Sequence, residues 1–379
     1  MQTVYAIGHA VLSPLGSDTM GNVKEALAQH TAIQHYQDAA VQDEPFAAAR
    51  LSPAQLQMIA ARYPHKGLSP FEQMCLYVAG EALTPTGINA QDKDCILILS
   101  TTKGNIEWLG QQSDDRISLH RSASLIAETL QLAHKPLVIS NACISGSVAL
   151  IAAKRMLETG RYKHALVIGC DRFSGFVFKG FQSFHALAPG PCRPFDKDRA
   201  GINLGEAAAA MVLSVDPALA GTAPLAVLAG GGISNDANHL SGPSRTGEEL
   251  AAAITAALGE AGITPQAVGA ISAHGTATLY NDEMEAKALH HAGVAHAAVH
   301  SLKSYIGHTL GAAGIIESVV ACVAMQQGIQ LASLGYASNG VSQALQVNTQ
   351  TRAADYSVLL KTASGFGGCN AALVWRRAG

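Results

Sequence analysis

Short apolar runs without polar alternation recur along this chain, and stretches of helical periodicity lie between them. A run of four to six apolar residues reads as a strand covered on both faces, and the intervening helices are the natural cover. That alternation commits the chain to α/β layering and argues against an all-β sandwich. The strand candidates are Thr3–Ile7, Cys95–Ser100, Leu137–Ser140, Ala165–Cys170, Ala209–Ser214, Leu225–Ala229, Val268–Ala273, Ala298–Leu302, Tyr356–Thr362 and Ala371–Trp375. The helical candidates are Met20–Gln29, Pro70–Leu83, Ser122–Leu132, Ile144–Thr159, Gly247–Gly259, Asp282–Ala292 and Ala312–Gln327. No short repeat or Pro/Ser-rich linker breaks the chain. Its nearest seam is Asp216–Pro224, DPALAGTAP, which separates residues 1–220 from 221–379, each with its own strand–helix alternation. Two intimately packed halves are expected.

Composition narrows the function classes. Only 14% of the 379 residues are charged, against about 25% in an ordinary globular protein, so a large buried core is expected rather than disorder. Lys and Arg total 25 against 28 Asp and Glu. With no basic excess to neutralise phosphates, nucleic acid is not expected as a main ligand, though a local basic patch for an acidic partner protein remains compatible. The seven cysteines are odd in number and lack CxxC spacing, which argues against a disulfide framework and a zinc site. No signal-peptide pattern opens the chain and no run of about 20 apolar residues occurs, so a soluble protein of a reducing, cytoplasmic compartment is expected.

The segment PLVISNACISGSVALIAAKRMLETG, residues 136–160, carries the most chemistry. A strand runs into Asn141–Ala142–Cys143 and a helix begins at once. There the free amide groups and positive dipole end of a helix favour a thiolate, and the Cys143 N–H can face a developing oxyanion. Taken alone, a single cysteine is more often a buried structural thiol. Val148, Ala149, Ala152, Met156 and Leu157 recur at helical spacing and read as core.

A nucleophilic cysteine needs partners, and two histidines sit in glycine-punctuated turns after strands. His274 begins HGTATLYND, ahead of a helix in which Asp282 and Glu285 read as structural carboxylates. His308 lies in KSYIGHTLGAAG, between Lys303 and a helix carrying Glu317, with Gly311 and Gly314 allowing close packing. Histidines at strand ends of one sheet can converge on the cleft above those ends. The other thirteen, His65 and His300 among them, read as ordinary. Near the C-terminus SGFGGCN, residues 364–370, lacks any phosphate-loop pattern, and its glycines allow a backbone N–H such as that of Phe366 to approach a reacting carbonyl.

Taken together, ACISG with Cys143, AHGTATLYND with His274, KSYIGHTLGAAG with Lys303 and His308, and SGFGGCN resemble the catalytic blocks of β-ketoacyl-acyl-carrier-protein synthases. RPFDKDRAGINLGEAAA and the opening YAIGHAVLSPLG resemble further blocks, so the likeness runs in order over nearly the whole chain. It implies a thiolase-like fold, a five-layer αβαβα sandwich of two pseudo-duplicated halves, normally dimeric. It also implies elongating chemistry from a Cys–His–His set: Cys143 takes an acyl group from a carrier protein, and a malonyl thioester loses carbon dioxide to give an enolate that attacks it. The resemblance assigns the oxyanion to the N–H groups of Cys143 and Phe366, the enolate to His274 and His308, an orienting role to Lys303 and Glu317, the phosphopantetheine arm to Thr276 and Thr278, and a gate to Phe366. No metal or cofactor is implied, and acyl carrier protein is expected in trans, with a homodimer or a heterodimer with a related subunit.

The sequence departs from the family pattern at STTKGNIE (residues 100–107), at Ala207–Ala208, at Asn141 and in its slightly short length. These departures point to a specialised branch such as polyene, aryl-polyene or polyketide synthesis. Cys369 stands where threonine is usual and reads as packing. The competing reading is a non-catalytic chain-length partner of a heterodimeric ketosynthase. A degradative thiolase is disfavoured, because no second catalytic cysteine is in place.

Overall fold

The computed structural model describes residues 2–64, 67–111 and 114–379. His65 lies outside the described residues. The first half of the chain forms β1 (Tyr5–Leu12), α1 (Thr19–Leu27), β2 (Gln34–Asp38), β3 (Gln42–Ala49), α2 (Pro53–Arg62), α3 (Pro70–Leu83), β4 (Cys95–Ser100), α4 (Leu119–Thr129), β5 (Leu137–Ile139), α5 (Ser145–Glu158), β6 (His164–Asp171), α6 (Gly175–Ser183), β7 (Leu204–Gly205) and β8 (Ala207–Ser214). The second half forms β9 (Ala226–Asn235), α7 (Glu248–Ala261), β10 (Ala270–Ser272), α8 (Leu279–His291), β11 (Ala298–His300), α9 (Lys303–Ile306), α10 (Ala313–Gln326), β12 (Ile329–Gln330), β13 (Gln346–Val347), β14 (Arg352–Ala353), β15 (Val358–Gly365) and β16 (Cys369–Arg377).

Strand order exposes an internal duplication. Eleven strands pair in the order β13-β11-β10-β15-β16-β9-β1-β8-β6-β4-β5. From β1 outward the pairings run antiparallel to β8, antiparallel to β6, parallel to β4 and parallel to β5. From β9 outward they run antiparallel to β16, antiparallel to β15, parallel to β10 and parallel to β11. The halves meet in a short antiparallel contact, Tyr5 and Ala6 against Val227 and Ala226.

Five layers follow from where the helices pack. Helices α5 and α10 lie against each other and touch strands of both halves, forming the middle layer. Their apolar cluster includes Ile151, Ile315, Ile316, Met211 and Leu373. Helices α3 and α4 cover the outer face of the first half, and α7 and α8 that of the second. This is the α/β thiolase-like sandwich that the resemblance implied.

Helix α3 has the predicted bounds, and its start is set by a capping box between Ser69 and Glu72. Strand β9 runs well beyond the predicted Ala229, through Gly230–Gly232. A Cβ at Gly230 or Gly232 would come within 2.1 or 2.0 Å of the carbonyl of Ala257 or Ala253 in α7. Those glycines let a helix lie directly on a strand. Val148, Ala152 and Met156 are only half-buried, not core as their spacing predicted, and with Ile233 they line a surface groove. The β2–β3 hairpin, α2 and α6 were missed, because β2 and the start of β3 are polar (QHYQD, QDEP) and α2 buries only Ile59.

Candidate active site

Cys143 is held in the turn between β5 and α5. Ser145 Oγ accepts the Asn141 N–H at 2.8 Å and donates to the Ala142 carbonyl at 2.6 Å. Ala142 is thereby kept at φ +45°, a conformation that alanine seldom adopts and that survives where its surroundings fix it. The equivalent turn of the second half, between β11 and α10, carries His308. Gly307 takes φ +67°, after which the His308 N–H donates to the Asn203 carbonyl at 2.7 Å and its own carbonyl accepts the Gly205 N–H at 3.0 Å. Residues 203–205 of the GINLGEAAA block thus fasten this histidine.

His274 follows β10, and two buried carboxylates of α8 fix its loop. Glu285 accepts the His274 N–H and the Gly275 N–H, each at 2.8 Å, and the Thr362 hydroxyl at 2.6 Å. Asp282 accepts the Thr276 N–H at 3.0 Å and the Phe195 N–H at 2.7 Å. The sequence reading of both as structural understates them, because they set the backbone that carries an imidazole.

Cys143, His274, His308, Thr276, Thr278 and Phe366 line one cavity of about 450 Å³. The two imidazoles meet edge to face, with ring centroids 5.5 Å apart. Phe366 packs between Phe181 and Phe184, at 5.4 and 5.3 Å between centroids. Its loop is tied down by the Gly367 N–H, which donates to the Leu240 carbonyl at 2.7 Å. Thr276 and Thr278 bring their hydroxyls within 2.9 Å of each other. Phe181, Phe184 and Leu240 were not found from sequence; only the aromatic spacing of FKGFQSF, in and just after α6, hints at the first two.

Lys303 and Glu317, to which the resemblance gave an orienting role in the catalytic set, do not line the cavity. Helices α9 and α10 bury them, with Lys303 Nζ 2.7 Å from Glu317 Oε1. Lys361, which sequence reasoning passed over, places its Nζ 2.7 Å from Glu317 Oε2. Its only signal was a charged residue directly after the apolar run Val358–Leu360.

Burial sets the charge states. It lowers the imidazoles of His274 and His308 well below their ordinary value, with Lys303 reinforcing the effect, so both rings are neutral. Neither ring nitrogen of His308 has a hydrogen-bond partner among the described residues. Burial also pushes the Cys143 thiol up to about 12, a shift that Cys369 reinforces and Lys303 only partly offsets. The expected resting thiolate is therefore corrected to a thiol. The sulfur is 8% exposed as part of its residue, two positions before the first helical residue, and desolvation of the anion prevails there.

Two duplicated halves, with a cysteine and two histidines gathered in the cavity they share, define a thiolase-like protein. The chain belongs to the β-ketoacyl synthase family: the family's N-terminal domain matches residues 1–217 and its C-terminal domain residues 225–337. It is 35% identical to a nodulation protein E from Rhizobium sp. (strain N33) over 68% of this chain and 65% of that protein. It is 32% identical to a 3-oxoacyl-[acyl-carrier-protein] synthase 2 from Mycobacterium leprae (strain TN) over 62% of this chain and 59% of that protein. These matches thus span less than two thirds of the curated relatives' own length. Among solved structures, a ketosynthase in complex with its chain length factor from Xenorhabdus doucetiae aligns with a TM-score of 0.86 and 25% identity, covering 100% of this chain and 98% of that one. The ishigamide ketosynthase/chain length factor aligns at 0.89 with 26% identity, covering both chains fully. Among the described residues no helix is long and apolar enough to cross a membrane.

Proposed function

We propose that this protein is an elongating ketosynthase, which condenses an acyl group held on Cys143 with a malonyl-carrier-protein thioester. The observation that carries this reading is the meeting of one buried thiol and two neutral imidazoles in a single apolar-walled cavity.

The steps follow from those charge states. As the Cys143 sulfur attacks the incoming thioester carbonyl, its proton leaves through a neutral imidazole for the departing carrier thiolate. The Cys143 and Phe366 N–H groups are the oxyanion donors. Gly365 presses against the Cys143 amide, where a Cβ would come within 3.0 Å of its nitrogen, so the two donors are neighbours. The malonyl unit then loses carbon dioxide, and its electron pair becomes an enolate whose oxygen takes N–H donation from His274 and His308. Its carbon attacks the acyl-Cys143 carbonyl, releasing a 3-oxoacyl thioester two carbons longer and the Cys143 thiolate, which takes a proton from solvent to restore the thiol. Thr276 and Thr278, nearer the mouth, suit the polar phosphopantetheine arm. In this reading residues 1–220 supply the nucleophile and 221–379 both imidazoles. Lys303 and Glu317 act through those imidazoles as positioning residues.

A partner chain is part of the proposal. Strand β5 ends the sheet, is wholly apolar (Leu137–Val138–Ile139) and only half-buried, and packs against α5, whose Val148, Ala152 and Met156 line the surface groove. An apolar sheet edge of this kind favours pairing with a second ketosynthase-like chain, identical or related. The pathway we favour is polyene, aryl-polyene or polyketide synthesis.

Intact-mass analysis after mixing with acyl-loaded carrier protein tests the reading. Wild type should gain the acyl mass and Cys143→Ala should not. Wild type that stays unmodified, while condensation depends on another subunit's cysteine, would transfer the assignment to a chain-length partner. His308→Ala should cripple malonyl decarboxylation more than acyl loading.

A further inference from the structure

Behind the imidazoles lies a charge cluster with one cation too many. In the parallel register of β15, β10 and β11, Lys361 pairs with Ser272 and Ser272 with His300. Register partners project to the same face, and here that face meets α10, where Glu317 sits. Lys303 donates to one oxygen of the Glu317 carboxylate at 2.7 Å, and Lys361 Nζ lies 2.7 Å from the other. All three side chains are at most 2% exposed. Lys361 has one further acceptor, the Thr362 carbonyl. The Lys303–Glu317 pair alone would be neutral, so Lys361 gives the triad a net positive charge in the buried core, with the Glu285 carboxylate also acting on it.

A second lysine buried against one carboxylate is costly, and a fold built only for stability gains nothing from it. Its surroundings show where its field falls. The groups around it are Glu317 from α10, Lys303 from α9, His300 from β11, Glu285 from α8, and the imidazoles of His274 and His308 in front. Lys361 also directly precedes Thr362, whose hydroxyl donates to the Glu285 oxygen that holds the His274 N–H. We propose that Lys361 is a positioning residue of the condensation, converting the Lys303–Glu317 pair into a net-positive triad whose field favours the enolate and opposes protonation of the two imidazoles. This rests on the ketosynthase reading for its enolate, while its effect on the rings is independent of that reading. The lowering of both imidazoles has burial as its first cause, with Lys303 and Lys361 adding to it.

The test compares Lys361→Met, which removes the charge at similar length, with Lys361→Arg, which keeps it. The first readout is independent of activity: NMR titration of histidine-labelled full-length protein, with ring signals assigned through His274→Asn and His308→Asn. Loss of a nearby cation must make protonation easier, so both rings should titrate higher in Lys361→Met than in wild type and return toward wild type in Lys361→Arg. The second readout is malonyl decarboxylation against pH. Lys361→Met should lose about tenfold in rate, with its acid limb displaced to higher pH, while acyl loading of Cys143 stays within about twofold. Rings that titrate as in wild type, with only the melting temperature altered, would overturn the proposal and make Lys361 a structural ion. Wild type that fails to take an acyl group would instead sink the ketosynthase reading, and the ring titration would still decide the triad.

Discussion

The closest helix approach in the middle layer gives the sharpest test of how the fold serves the site. Helices α5 and α10 cross near their N-termini through Gly146 and Gly314. A Cβ on Gly314 would lie 2.3 Å from the Ser147 amide nitrogen, 2.6 Å from its hydroxyl and 2.8 Å from the Gly146 carbonyl carbon. Two of these are backbone atoms and cannot rotate away. Ordinary contact begins at 3.4 Å, so in Gly314→Ala the helices must part by about 1 Å. Overpacking of this kind costs about 1–3 kcal/mol of stability. The larger effect is on geometry, because Ser147 closely follows Cys143 and Gly314 closely follows His308. Moving reacting groups apart by 1 Å costs about 100-fold in rate. Condensation with acyl- and malonyl-loaded carrier protein should therefore fall about 100-fold in a variant that still melts cooperatively. Gly259→Ala in α7, with nothing within 4 Å of its Cβ, is the control and should leave the rate unchanged. A folded Gly314→Ala that condenses within about threefold of wild type would refute the argument that this crossing sets the distance between sulfur and imidazole.

Three further outcomes follow from charge and hydrogen bonding. Burial, helped by Lys361 and opposed by Glu317, lowers His300 to about 4 from 6.5, so its contribution to stability is intact above pH 6.5 and lost as pH falls toward 4; at pH 5 the loss is about 2 kcal/mol. Urea unfolding of His300→Gln should lose that much less than wild type between pH 7 and pH 5, and equal losses would contradict it. Because the Cys143 thiol is pushed up to about 12, its alkylation by iodoacetamide should keep rising about tenfold per pH unit up to pH 10; a plateau near pH 8 would mean a stabilised thiolate. Glu285→Gln replaces an acceptor of two backbone N–H groups with an amide that can turn only one oxygen to them. It should cost about 1–3 kcal/mol in thermal unfolding and slow decarboxylation more than acyl loading, and equal slowing would remove its link to His274.

Legibility divided along physical lines. Strands β4, β6 and β8 could be read because both faces are covered, leaving continuous apolar runs that no surface helix imitates. The turns holding Cys143, His274 and His308 were legible because each needs an unusual backbone next to a reactive side chain, and glycine or a small residue marks the place. Legibility failed where partners are remote in sequence. Nothing near Lys361 announces Glu317, and nothing near Phe181 announces Phe366. Gly230–Gly232 misled for the opposite reason: a breaker by local rules became strand, because a helix backbone from residues 253–257 occupies the space that side chains would need. The thiolate expectation failed in the same way. A helix start favours the anion locally, but the walls that exclude water from Cys143 come from several distant segments.

The resting charges of the cavity also bear on which chemistry it suits. Its thiol and both imidazoles are neutral, and the triad of Lys303, Glu317 and Lys361 behind them carries a net positive charge. A reaction that generated an anion from neutral reactants would have to export a proton from a site whose bases are poor proton acceptors. Decarboxylation makes no such demand. The malonyl carboxylate arrives already charged, carbon dioxide departs neutral, and the charge passes to an enolate oxygen beside two N–H donors with a cation behind them. Neutral imidazoles serve this role better than charged ones, since an imidazolium could protonate the enolate carbon and divert it to an acetyl thioester. Suppressing imidazole protonation therefore protects the carbon–carbon bond-forming step as well as its rate.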